Sequence, residues 1–212
     1  SWEVIRGAGD FDSVTKSIHN GLQGFPVNIS QKGWATYHAV NQANAETLRP
    51  TLEDADIVVI HDPQPAALLQ LCGGRRGKWV WRAHIDISHP YLPVWKTLRT
   101  IVKGYDASIF SMPQFALPLP HPQYLVPPSI DPLSEKNRDL PPEELDAVRA
   151  GFGLDPSRPL LVQISRFDRF KDPIGVIEAY RLVKKVQPVQ LVLAGGGATD
   201  DPEGEEVLRE VM

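Results

Sequence analysis

The sequence predicts an α/β protein built on parallel sheets, and three observations carry the prediction. Short β-branched, apolar runs recur along the chain, as in Ile57-Val58-Val59-Ile60 behind Asp56, Leu160-Leu161-Val162-Gln163-Ile164 and Gln190-Leu191-Val192-Leu193-Ala194. Their near-continuous apolarity suits strands buried on both faces rather than the alternation of a half-solvated antiparallel strand. Longer stretches with apolar residues at helical spacing separate the runs, and strand alternating with helix implies parallel strands covered by helices.

Taken in order, Trp2-Glu3-Val4-Ile5 reads as a strand inside which the chain opens. Helices are predicted at about residues 11–20, 34–48, 64–72 and 91–103, with strands at 56–60, Trp79-Val80-Trp81 and Ala107-Ser108-Ile109-Phe110 between them. The second half repeats the pattern more cleanly: strand 160–164, a helix from Ile174 to Val186, strand 190–194, and a helix from Glu203 to Val211. Between the halves, residues 113–142 hold Pro113, Pro118, Pro120, Pro122, Pro127, Pro128, Pro132, Pro141 and Pro142. Proline fixes its own φ and donates nothing to a ladder, so a stiff, extended connection is expected there. The predicted division is a first domain over residues 1–126, a Pro-rich hinge and linker over 127–156, and the start of a second domain over 157–212. With no initiator Met, and an end in the middle of a charged helical pattern, the chain reads as a fragment incomplete at both ends.

Composition narrows the function classes. The formal charge is −4, and the 22 Lys and Arg residues are scattered rather than clustered, which argues against nucleic acid as a partner. No apolar run approaches the roughly 20 residues that span a bilayer, and no signal peptide is visible. Cys72 is the sole cysteine, which excludes an internal disulfide and a cysteine-rich metal site and fits a cytoplasmic setting. His19 and His38 lack metal-ligand spacing, so no metal is expected. His89 and His121 are predicted at the surface, Trp34, Trp79, Trp81 and Trp95 as packing residues, and Glu143-Glu144 and Glu205-Glu206 as helix-start and solvated charges.

The segment richest in chemistry is Ser165-Arg166-Phe167-Asp168-Arg169-Phe170-Lys171-Asp172-Pro173. A strand ends at Ser165, and a helix starts with Asp172 as its N-cap and Pro173 at its first position. Ligands of open α/β sheets bind at the carboxyl ends of strands, where helix N-termini favour anions. Arg166 and Lys171 therefore either face a phosphate-sized anion or are solvated surface charges. The loop Gly195-Gly196-Gly197 follows a strand on the same sheet edge and serves equally as a tight turn or a close approach to a ligand. It lacks the Gly-Lys-Ser/Thr ending of an NTPase phosphate loop. In the first half, His61-Asp62 and His84-x-Asp86 stand at the ends of strands, either as ordinary hydrogen-bonded residues or as parts of one polar cleft.

Ser165-Arg166-Phe167-Asp168 with Lys171 resembles the donor-binding signature of the family-4 retaining glycosyltransferases of GT-B fold. His61-Asp62-Pro63-Gln64-Pro65-Ala66-Ala67-Leu68, Trp81-Arg82-Ala83-His84-Ile85-Asp86, Pro127-Pro128-Ser129-Ile130-Asp131-Pro132-Leu133-Ser134-Glu135-Lys136-Asn137 and Asp201-Pro202-Glu203-Gly204 are similar to segments of the trehalose glycosyltransferring synthases and the related fungal trehalose phosphorylases. The resemblance implies two Rossmann-like domains, with Arg166 and Lys171 on the diphosphate of a sugar nucleotide. It implies His84 as the catalytic-site histidine facing the donor sugar, and Asp86, His61, Asp62 and Gln64 as acceptor contacts. Gly195, Gly196 and Gly197 are then the loop beside the nucleotide. The implied reaction moves glucose from ADP-glucose or UDP-glucose to glucose with retention, forming α,α-trehalose without metal or cofactor. A phosphorylase using glucose 1-phosphate keeps the same site; a non-catalytic sugar- or nucleotide-binding module, or a GT-B epimerase, is the different class. Assembly as a homodimer stays open. The family's glycine-rich loop after the first strand and its paired glutamates are not in this chain, so the chain by itself is expected to be inactive.

Overall fold

Strands β1 (Ile57–His61), β2 (Lys78–Arg82), β3 (Ala107–Phe110) and β4 (Gln123–Leu125) form one sheet in the order β1-β2-β3-β4, with every neighbouring pair parallel. The computed structural model describes residues 1–196 and 202–212, which fall into two compact units, Ser1–Ser129 and Ile130–Met212. Helices α1 (Phe11–Leu22) and α2 (Gln31–Asp54) precede this first sheet, while α3 (Leu68–Leu71) and α4 (Leu92–Val102) make its crossovers. Right-handed crossovers that always advance one strand the same way place their helices on one face of the sheet. Burial follows that rule. Val58 faces Trp79, Ile60 faces Trp81 and Trp81 faces Ser108 in register, and with Phe110 all are buried. They share one core with Leu22 of α1, Tyr37 of α2, and Leu98 and Val102 of α4. On the opposite face Ile57 is 67% and Val59 43% exposed.

Several expectations are corrected. Residues 2–5 form no strand: Trp2 and Val4 are exposed, and the next backbone amide is pinned elsewhere. Arg6 N donates to Asn44 Oδ1 at 2.8 Å, and Asn44 Nδ2 donates to Arg6 O at 3.0 Å. One side-chain amide on α2 thus satisfies both backbone groups of Arg6, as a ladder partner would. The helix expected at 64–72 contracts to the single turn α3 because residues 63–67 are spent on a turn after β1. The helix expected at 34–48 extends over Gln31–Asp54, capped by Ser30, whose side chain accepts from Gly33 N at 3.1 Å, and it continues through Pro50.

The proline-rich stretch is not wholly extended. Residues Gln123–Leu125 join the sheet beside β3, entering just after Pro122, a place where a residue without an N–H costs the ladder little. His121 is half-buried rather than superficial, with Nε2 3.0 Å from Ser108 Oγ. In the second unit, β5 (Leu160–Ile164) pairs in parallel with β6 (Gln190–Ala194) across helix α6 (Pro173–Val183). Helix α5 (Pro142–Gly151), opened by Pro142 and an acidic first turn, lies within the stretch read as hinge and linker, and α7 (Pro202–Val211) follows β6. Residues 130–156 group with this unit.

Candidate functional site

The carboxyl edge of the first sheet gathers His61, Asp62 and His84. Strand register sets His61 beside Arg82, so His84, two residues further on, lies across from the end of β1. His61 Nδ1 and His84 Nε2 are 2.8 Å apart. The ring planes differ by 12° with centroids 5.1 Å apart. That separation exceeds the N···N distance by about two ring radii, so the rings meet edge to edge and the hydrogen bond runs along the in-plane lone pair.

Asp62 ties the backbones behind this pair together. Its φ is 62°, a left-handed conformation that Asp tolerates better than most residues but which still costs about 1 kcal/mol or more. Three hydrogen bonds hold it there: Asp62 N to Arg82 O at 2.8 Å, Trp81 Nε1 to Asp62 O at 3.0 Å, and His84 N to Asp62 Oδ1 at 2.8 Å. The loop that follows is pinned by buried donors. Tyr37 Oη reaches Pro63 O at 2.7 Å, Asn41 Nδ2 reaches Gln64 O at 3.0 Å, and Tyr105 Oη reaches Ala66 O at 2.8 Å. Burial raises both phenol pKa values, so both remain donors. Gln64 is thereby anchored through its backbone. Asp86 is placed differently from a strand continuation: β2 ends at Arg82, and Asp86 Oδ1 accepts from Ser88 N at 2.8 Å.

His61 titrates below the ordinary imidazole value, through burial first, then the neighbouring His84, with Arg82 adding and Asp62 opposing. Between the lowered native value and the ordinary one, the unfolded chain binds more protons than the folded chain. Stability is therefore full above about 6.5 and falls as pH drops through that window. In a proton NMR titration the His61 ring should give a midpoint below that of an exposed histidine; a midpoint at or above it would contradict the burial.

The donor-type loop lies at the carboxyl edge of β5. Arg166 and Lys171 are both exposed; Arg166 precedes a short 3-10 turn, Arg169–Lys171, which Lys171 ends. Asp168, quoted above only as part of the motif, is 4% exposed; it accepts from Phe170 N at 2.8 Å and lies 3.8 Å from Arg166 Nη2. Arg169, the third cation of the loop, is committed to Glu206 and Glu210 of α7 at 3.4 and 2.8 Å. Asp172 caps α6 as predicted, accepting from Gly175 N at 3.0 Å with a φ of 46°. A Cβ at 175 would run into the Asp172 carboxylate. Gly195 crosses directly over the Ser165 carbonyl, where a Cβ would collide with the oxygen; Ser165 N donates to Ala194 O at 3.0 Å. Glycine there brings the two strand ends together. Gly196 follows, and Gly197 lies outside the described residues.

The sequence reading missed two neighbours of His61. Trp2, 73% exposed, sets its ring 5.1 Å from that of His61. Arg82 is 7% exposed, and among the described residues its side-chain hydrogen bond is a long one, 3.5 Å to Ser111 Oγ. The signal for Arg82 is its position at the end of β2, two residues before His84. Among the described residues no group of three or more His, Cys, Asp and Glu is placed to hold a metal ion, and no helix is long and apolar enough to cross a membrane.

Comparison with known proteins places the chain in a family. A family model described as the trehalose synthase N-terminal domain matches residues 1–117, more than half of the chain. The chain belongs to that family. The trehalose synthase of Rubrobacter xylanophilus is 43% identical over 208 residues, covering 96% of this chain and 50% of the relative. The trehalose phosphorylase of Pleurotus pulmonarius is 26% identical over 257 residues, covering all of this chain and 34% of the relative. The chain thus spans about half, or less, of the length of the curated relatives it matches. Among solved structures, the trehalose-6-phosphate synthase OtsA matches with a TM-score of 0.73 at 18% identity, over 95% of this chain and 53% of that one. The trehalose-6-phosphate enzyme of E. coli bound with UDP-2-fluoro glucose matches with 0.68 at 18% identity, over 87% and 49%. At such identity the likeness concerns the fold, which is the parallel α/β architecture of GT-B glycosyltransferases.

Proposed function

We propose that this trehalose synthase-family chain supplies the acceptor side and the first part of the donor side of a retaining glycosyltransferase that moves glucose from a nucleotide-glucose to glucose, forming α,α-trehalose. The observation that carries the reading is the pair Arg166 and Lys171 at the carboxyl end of β5, immediately before the N-terminus of α6, where an anion is favoured. As the C1–O bond to the diphosphate breaks, charge builds on the leaving group, and two fixed cations stabilise it with no metal required. The acceptor hydroxyl forms the new bond at C1 from the same face, and its proton passes to the departing diphosphate. His84, His61 and Asp62 hold the acceptor, an orienting task for which a rigid cluster is suited.

A phosphorylase is the second reading, kept by the 26% identity to the Pleurotus trehalose phosphorylase; the 43% identity to a trehalose synthase supports the first. The test uses a polypeptide spanning the relatives' full length. One tube offers glucose with ADP-glucose or UDP-glucose, a second glucose with glucose 1-phosphate, and a third glucose 6-phosphate with the sugar nucleotide. Trehalose in the first tube alone is expected. Trehalose in the second alone would establish the phosphorylase, and product in the third alone would move the acceptor to a sugar phosphate.

A further inference from the structure

We infer that His61 is a positioning residue that fixes the tautomer of His84, leaving His84 Nδ1 unprotonated as a hydrogen-bond acceptor. The contact between His61 Nδ1 and His84 Nε2, at 2.8 Å and nearly in both ring planes, holds one proton. Two neutral arrangements satisfy it. In one, His84 Nε2–H donates to His61 Nδ1, and each ring carries its proton on Nε2. In the other, His61 Nδ1–H donates to His84 Nε2, and each ring carries its proton on Nδ1. A histidine side chain intrinsically favours the Nε2–H form, so the first arrangement satisfies both rings and the second neither. The tautomer of one ring is thus set by the bond the other makes.

The surroundings favour neutral His61 and hold both rings still. Three charged or titratable groups bear on His61: His84 and the buried Arg82 disfavour a further proton, and Asp62 opposes them. Asp62 also ties the His84 main chain through the bond from His84 N to its Oδ1, at 2.8 Å. Trp2 stands against the His61 ring, centroids 5.1 Å apart and planes at 59°. His84 is therefore clamped at its backbone by one residue and at its ring by another, with Nδ1 as its remaining ring nitrogen. Resting on the reading that His84 meets the sugars, this makes His84 an acceptor for a sugar hydroxyl rather than a donor to a sugar oxygen.

Two-bond proton–nitrogen correlation NMR on the 15N-labelled chain, above the titration of both rings and without any sugar, reads the tautomers directly. The expected spectrum shows protonated Nε2 and unprotonated Nδ1 on His84 and on His61. In His61→Phe the two nitrogen shifts of His84 should move toward each other as the tautomers mix. In His61→Asn, whose amide oxygen takes the place of Nδ1, they should return. A protonated Nδ1 on His84 in the parent chain, or a His84 pattern unmoved by His61→Phe, overturns the inference. Should His61→Phe fail to fold, the parent spectrum and His61→Asn still decide it. Because no turnover is measured, a failed product assay leaves this result intact, and a wrong tautomer leaves the transfer reading intact.

Discussion

Replacing Arg166 with alanine, in a polypeptide spanning the full length of the relatives, is expected to lower kcat/KM for the sugar nucleotide by about a hundredfold or more, with the acceptor KM little changed. Removing one fixed donor from a developing oxyanion typically costs about 10²–10³ in rate. Lys171→Ala should act in the same direction. Both side chains are exposed, and the bonds at Lys171, from its N to Asp168 O and from Gln163 Nε2 to its O, are backbone bonds that alanine keeps. Arg166 gives up its 3.8 Å approach to Asp168, whose carboxylate still accepts from Phe170 N. Circular dichroism should thus be unaltered. Arg166→Lys should recover only part of the loss, since a lysine lacks the planar fork that grips two oxygens. Arg169→Ala is the contrast: that guanidinium is committed to Glu206 and Glu210, so its loss should leave donor kinetics largely intact. Steady-state kinetics with the donor varied decides the matter. Equal donor kinetics in Arg166→Ala, Lys171→Ala and the parent would take the loop out of the site.

Trp81→Ala is expected to destabilise the first unit by about 3–5 kcal/mol, a large part of the 5–15 kcal/mol that holds an ordinary domain together. The indole is 1% exposed and meets Phe110 edge-on, with centroids 6.0 Å apart and planes at 89°. Truncation leaves a cavity in the middle of the sheet's covered face. It also releases Asp62, whose carbonyl accepts from Trp81 Nε1 and whose left-handed backbone depends on such restraints. Trp81→Phe isolates the smaller part: it keeps a six-membered ring in the core and loses the indole donor with the rest of the bicycle, so its cost should be about 1–2 kcal/mol. Urea unfolding followed by circular dichroism measures both. A loss below 1 kcal/mol in Trp81→Ala would mean that the surrounding core closes over the gap.

What the sequence made legible were the elements that carry their own signal. Strands β5 and β6 lie at 160–164 and 190–194 as read, because an uninterrupted apolar run behind Pro159 or Val189 has few other ways to bury itself. The Asp172-Pro173 helix start is equally local. Hidden elements depended on distant partners. Gln123-Tyr124-Leu125 is a strand only because β3 offers it a free edge, and Trp2 to Ile5 is not one because Asn44 already occupies Arg6. The same holds in the site. That His61 and His84 belong to one edge was readable from the strand ends, but their direct bond follows from a register, His61 opposite Arg82, that no local pattern announces. Likewise Asp86 left the expected line because β2 stops at Arg82. The role of Asp168 as a buried support for the loop appears only once Phe170 N is seen to point back at it.

The order of the four-stranded sheet bears on how the molecule is made. Each strand pairs with the one just before it in the chain: Ile57 with Lys78, Val80 with Ala107, Ser108 with Gln123. No ladder waits for a remote segment, so the loop-closure entropy is met in modest instalments rather than in one large step. A polypeptide emerging from the ribosome can lay down this sheet strand by strand, in the order of translation, before the second unit has been synthesised.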